Sequence, residues 1–126
     1  MTQLVPYLTV DDARKAIAYY TEAFGATETG ERWTEDDGRV GFAALTIDGL
    51  PFYLSDEYHD YGAYAPATVG HATAALVLEV DDVDAVYRAA VAAGASVDRE
   101  PSDQGTERRG WLVDPFGHRW AIHSPL

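Results

Sequence analysis

Leu8-Thr9-Val10-Asp11-Asp12 occurs a second time along the chain, as Leu78-Glu79-Val80-Asp81-Asp82. Each copy runs directly into a stretch of helical spacing that closes at Gly25-Ala26 or at Gly94-Ala95. Alternating apolar residues have the period of a strand. A carboxylate at the next position caps a helix by accepting from its free N–H groups, and glycine ends one by taking the left-handed conformation cheaply. The same strand-to-helix passage, repeated at the same internal distances, implies one supersecondary unit used twice. Two copies share an interface, and that interface is the first place to look for function.

Outward from the first copy, Leu4, Pro6, Leu8 and Val10 alternate with Gln3, Val5, Tyr7 and Thr9, which predicts a strand with the first set facing a helix. Asp11 or Asp12 caps that helix, whose buried stripe is Ala13, Ala16, Ile17, Tyr20 and Phe24. Three strands follow, over 27–33, 40–47 and 50–55, with turns at Asp36-Asp37-Gly38 and Asp48-Gly49. Ala43, Leu45, Ile47, Phe52 and Leu54 should face the helix, leaving Phe42, Ala44, Tyr53 and Ser55 on the other side. The second copy repeats this order. A strand through His71–Val80 precedes a helix with the stripe Val83, Val86, Tyr87, Ala90 and Val91. A short strand over 96–99, a loop over 100–105, a strand over 108–113, the turn Asp114-Pro115-Phe116-Gly117 and a last strand over 118–123 complete it. The expected architecture is α+β, a single domain of two βαβββ modules, 1–56 and 71–126, joined by a linker at 57–70. The uncovered faces of the two four-stranded sheets carry Tyr7, Phe42, Tyr53, Val77 and Trp111, too apolar to be left fully in water, so the sheets are expected to pair around a cavity.

Composition narrows the function classes. The chain has 126 residues, 47% of them apolar, and no cysteine, so it can bury a core without disulfides and offers neither thiolate ligand nor thiol nucleophile. The stretch Met1–Pro6 lacks the basic region and apolar core of a signal peptide, and no apolar run reaches membrane-spanning length, so a cytoplasmic location is expected. Twenty-one acidic against nine basic residues give a formal charge of −12, which repels nucleic acid and anionic lipid and attracts cationic small molecules. Phosphate-binding loops and nucleophile elbows are absent from the sequence.

Several stretches together are similar to the vicinal oxygen chelate superfamily of glyoxalases, bleomycin resistance proteins and extradiol dioxygenases, and within it to the PhnB-like branch. They are Pro6–Ala13, Tyr20 with Phe24-Gly25-Ala26, Leu54–Glu57, Val80–Ala85, and Arg108 through Asp114–Trp120. The resemblance covers nearly the whole chain and implies paired βαβββ modules, a small-molecule ligand between the sheets and a homodimer. It also implies four slots for a divalent metal, which fall on Val5, Tyr53, Ala75 and Ala121. Valine and alanine offer no donor atom, so neither a metal nor another cofactor is expected, and metal-dependent glyoxalase or dioxygenase chemistry loses its support. A displaced pair of ligands would be His71 and His123, with Glu79 or Glu107 as an oxygen donor.

The candidate ligand-binding residues are Tyr7, Phe42, Tyr53, Ser55, Thr73, Val77, Arg109, Trp111 and His123. Flat aromatic rings stack on ligands and attract cations to their faces; the bland alternative is inter-sheet core. Arg109 could pair with a ligand carboxylate or with an acidic neighbour. His123 could act as a base or simply sit half exposed near the end of the last strand. His118 is expected to secure the turn before it, and Asp56-Glu57 to be a solvated cap. The leading reading is a metal-independent binding protein for an organic molecule, cationic and antibiotic-like in one version. The alternatives are a lyase or isomerase using His123, Arg109 or Glu79, and a pocketless interaction module.

Overall fold

The computed structural model describes residues 1–126. Strand β1 (Tyr7–Thr9) leads into helix α1 (Ala13–Phe24), followed by β2 (Thr27–Thr34), β3 (Val40–Ile47) and β4 (Leu50–Ser55). A 3₁₀ turn (His59–Tyr61) and the short helix α2 (Pro66–Val69) lie in the connection. Then come β5 (Ala75–Glu79), α3 (Val83–Ala93), β6 (Ser96–Gln104), β7 (Glu107–Val113) and β8 (Arg119–Pro125). The strands form two four-stranded mixed sheets, β1-β4-β3-β2 and β5-β8-β7-β6, in which β1 runs parallel to β4 and β5 to β8. The α+β class and the repeated module are as the sequence implies.

The carboxylates do what the repeat suggested. Asp12 accepts from the Lys15 amide and Asp82 from the Ala85 amide, three residues into each helix. Gly25 closes α1 at φ 67°, and the two-residue turn Asp48-Gly49 has both residues at positive φ, as a tight hairpin requires. Asp56 is not a solvated cap. Its two oxygens accept from the amides of Ala13 and Val40, each at 2.7 Å, tying the first turn of α1 to the start of β3.

Four strands differ from expectation by two residues or more at one end. β1 begins at Tyr7, and Leu4 is almost fully exposed. Pro6 and Pro51 both lack an N–H, so the β1–β4 ladder cannot continue past the Tyr7–Tyr53 pair. β5 begins at Ala75, leaving His71 and Thr73 outside it, because its partner β8 starts at Arg119, opposite Ala75, and the turn at Gly117 offers nothing to pair with. β6 runs on through 100–104, where a loop was expected. As an edge strand it tolerates Pro101, and it absorbs the extra residues in irregularities between Val97, Arg99 and Ser102. β8 continues past His123 to Pro125.

The core lies between the sheets and their helices and is continuous across both modules. The modules touch through α1 and α3. The Tyr19 hydroxyl donates to the Ala90 carbonyl (2.9 Å), and Phe24 packs on Trp120 with ring centroids 4.7 Å apart. The Tyr20 hydroxyl donates to Asp114, a buried carboxylate that also accepts from Trp120 Nε1 and from the amides of Phe116 and His118. Burial and the nearby Asp114 carboxylate raise the pKa of both Tyr19 and Tyr20 above the ordinary tyrosine value. No helix is long and apolar enough to cross a membrane.

Candidate functional site

With both helices on the inner side, each sheet turns its other face outward. On the first sheet, register places Trp33 opposite Phe42, and Tyr53 between Ala44 and Tyr7. The rings of Tyr7, Phe42 and Tyr53 form a cluster with centroids 4.9–5.9 Å apart, and the Tyr7 hydroxyl donates to the Gly41 carbonyl. Beside this cluster opens a cleft of about 820 Å³. Its walls are Tyr7, Phe42 and Ser55 from the sheet, Trp33 from the edge strand β2, and Tyr58 and Tyr61 from the connection. Trp33 keeps 62% of its surface exposed and Tyr7 53%, so flat aromatic area is available at the opening.

The cleft is also acidic. Glu31 and Glu35 line it, with Glu35 accepting from Trp33 Nε1 at 3.1 Å. Its one basic wall residue, Arg32, is already held by two bonds to Glu28. The Tyr58 hydroxyl oxygen is buried and has no hydrogen-bond partner, while the Arg39 guanidinium sits over its ring at 4.1 Å. Burial and then the Glu35 carboxylate raise its pKa, so it stays protonated and can donate. The connection that carries Tyr58 is fixed by Glu57, whose carboxylate accepts from the Ala65 amide, the Thr68 hydroxyl and His59. Burial pushes the Glu57 pKa up, but those three bonds outweigh it and leave the group below its ordinary value.

A second groove, of about 580 Å³, runs between β1 and β5 and is lined by both sheets: Tyr7 and Thr9 from one, Ala75 and Val77 from the other, with Thr73 and His71 at its side. His118 also lines it and joins the modules, its Nε2 lying 2.8 Å from the Thr9 carbonyl. Of the expected ligand-binding residues, then, Tyr7, Phe42 and Ser55 share the large cleft, and Tyr53 backs it through the ring cluster. Thr73 and Val77 share the groove.

Arg109, Trp111 and His123 lie elsewhere, on the outward face of the second sheet, where Trp111 pairs with Ala121 and Arg109 with His123. Arg109 meets Glu107 at 3.4 Å. His123 sits between two glutamates, with Nε2 at 3.7 Å from Glu79 and Nδ1 at 3.5 Å from Glu107, and its buried Nδ1 lacks a hydrogen-bond partner.

Trp33, Glu31, Glu35, Tyr58 and Tyr61 are wall residues that parity counting did not reach. The signal for the first three was the alternate spacing of Glu31, Trp33 and Glu35 at the end of β2 and just past it.

The four slots that would hold a divalent ion do not fit one. Val5, Ala75 and Ala121 have no donor, and Tyr53 alone would give an ion a single oxygen. Nor does the displaced pair converge: His71 is exposed beside the β1–β5 groove, away from His123 on β8. Glu79 and Glu107 approach opposite nitrogens of the His123 ring, so a metal on either nitrogen would meet at most one of them. No three His, Asp or Glu side chains gather as a metal site.

The family model for the glyoxalase/bleomycin resistance protein/dioxygenase superfamily matches residues 2–122. The chain belongs to this superfamily. The uncharacterised protein Mb0911c of Mycobacterium bovis is 39% identical over 98% of the chain and 83% of its own length. The anthracycline biosynthesis protein DauV of Streptomyces sp. strain C5 is 31% identical over 91% of the chain, which spans 38% of that larger protein. The crystal structure of TioX from Micromonospora sp. ML1 superposes with a TM-score of 0.73 at 21% identity, covering 99% of this chain and 97% of that one. At that identity the superposition speaks for the superfamily fold alone.

Proposed function

We propose that the chain is a metal-independent binding protein for a flat, cationic organic molecule, held in the cleft on the outer face of the first sheet. The observation that carries this reading is the makeup of the cleft: five aromatic rings, two carboxylates and one buried hydroxyl without a partner. Rings bind flat ligands by stacking, and carboxylates and ring faces favour positive charge. The size suits a drug-sized molecule. A relative named for the biosynthesis of anthracyclines, which are flat aromatic compounds, supports the same ligand class. A homodimer belongs to this reading, as the superfamily resemblance implies. So does membership of the PhnB-like branch, which rests on the motifs at Pro6–Ala13 and Asp114–Trp120.

The test is a fluorescence titration of the Trp111→Phe protein with planar aromatic cations and their neutral isosteres, with sedimentation velocity on the same samples. Saturable quenching is expected for the cations. Glu35→Gln should weaken it by roughly tenfold, the equivalent of about 1.4 kcal/mol, and Trp33→Ala, which removes the reporting indole, should do the same when binding is followed by titration calorimetry. If no compound quenches, or neutral isosteres bind as well as the cations, the reading fails. His123 favours a second reading, a lyase or isomerase with the imidazole as acid–base group beside Glu79 and Glu107. That reading requires a turnover that His123→Gln abolishes without loss of binding.

A further inference from the structure

Four of the arginines are held by carboxylates: Arg32 by Glu28, Arg39 by Asp37, Arg108 by Asp84 and Asp103, and Arg109 by Glu107. The other four, Arg14, Arg88, Arg99 and Arg119, meet none, and two of these share a partner of another kind. The guanidinium groups of Arg99 and Arg119 turn to one side chain, Trp111, with their central carbons 5.3 Å and 4.7 Å from its ring centroid.

Register brings them there. Arg99 pairs with Trp111 across β6 and β7, and Arg119 pairs with Val113, one step along the same outward face. A guanidinium stacked on a ring uses its flat face and leaves its N–H donors, which lie in its own plane, free at the edge. Two cations on one ring repel each other, and a carboxylate or phosphate group reaching both would relieve that repulsion while accepting from both sets of donors.

The surroundings select further. On the other side of Arg119 lie Ala75, its partner on β5, and then Val77, which is 64% exposed, so apolar surface continues from the charge. Glu79 and Glu107 stand at the His123 end of the face and would keep an anion away from there.

The geometry points to an organic-anion site on the outward face of the second sheet. Arg99 and Arg119, held on Trp111, take the carboxylate, phosphate or phosphonate of a ligand whose apolar body lies over Ala75 and Val77. This site stands on the second sheet alone and is independent of what the first-sheet cleft takes.

The experiment titrates the Trp33→Phe protein with phenylphosphonate and with inorganic phosphate at constant ionic strength, reading indole fluorescence. Saturable binding is expected, tighter for phenylphosphonate than for phosphate. Arg99→Gln and Arg119→Gln should each weaken it by roughly tenfold, the scale of one charge-assisted contact, and the double substitution should abolish it. Arg88→Gln, at an exposed arginine on α3 with no ring beside it, should change nothing. Absence of saturable binding, or binding that survives the double substitution, overturns the site. So does a double variant that loses self-association in sedimentation while the unaltered protein binds neither anion, since the guanidinium groups would then serve a second copy.

Discussion

Four donors converge on Asp114: the Tyr20 hydroxyl, the Trp120 indole and the amides of Phe116 and His118. A carboxylate is the one side chain here that accepts on both oxygens, and asparagine would turn an N–H₂ toward two of these donors. Asp114→Ala is expected to cost about 3 kcal/mol or more, because each buried donor left unpaired costs about 1–3 kcal/mol. Urea unfolding measures this, and an unchanged midpoint would mean that water replaces the carboxylate. The turn around Asp114 was legible from Asp114-Pro115-Phe116-Gly117 alone, because a turn is local. That Tyr20 would meet it from the first module was not legible, since nothing in a helical stripe says which neighbouring element the far end of a tyrosine reaches. His118 secures the turn through its amide, as expected, and its ring adds a contact to the first module that the sequence did not announce.

At the scale of elements, what could be read was whatever repeats at short range: two capped helices, the tight turn at Asp48-Gly49 and the parity of β3 and β4. Strand ends are not legible where pairing decides them, at Pro6 against Pro51 and at Thr73 against the turn before β8. The candidate site suffered for the same reason. Tyr58 and Tyr61 reach the cleft because Glu57 folds the connection back on the sheet, a long-range arrangement with no periodic trace. Asp56 is the neighbouring device, one carboxylate joining α1, β3 and the end of β4. Asp56→Ala should destabilise the protein by about 2 kcal/mol, more than a single lost helix cap, since two charge-assisted bonds go together. Asp56→Asn should recover part of this by keeping one acceptor. Thermal unfolding of the pair of variants checks it, and equal losses in both would show that charge, not acceptor geometry, matters there.

At the scale of the whole molecule, Tyr19 and Tyr20 make stability depend on alkaline pH. Both hold their protons in the folded state at pH values where unfolded tyrosines, near about 10, release theirs. Their stabilising contribution is therefore full below about pH 10 and falls as pH rises beyond it, by up to about 1.4 kcal/mol per pH unit for each group. Tyr20→Phe should flatten that decline while costing stability at neutral pH. Urea midpoints measured on either side of pH 10 would show it, and parallel curves for both proteins would remove Tyr20 from the account. Both tyrosines lie in the seam where α1 meets the second module, together with Phe24, Phe116 and Trp120. A lone module with such a seam would need a twin to cover it. Carried in one polypeptide, the two modules make permanent a contact that would otherwise depend on concentration. Their outward faces need not match, and they do not: one presents aromatic rings with acidic edges, the other guanidinium groups on an indole.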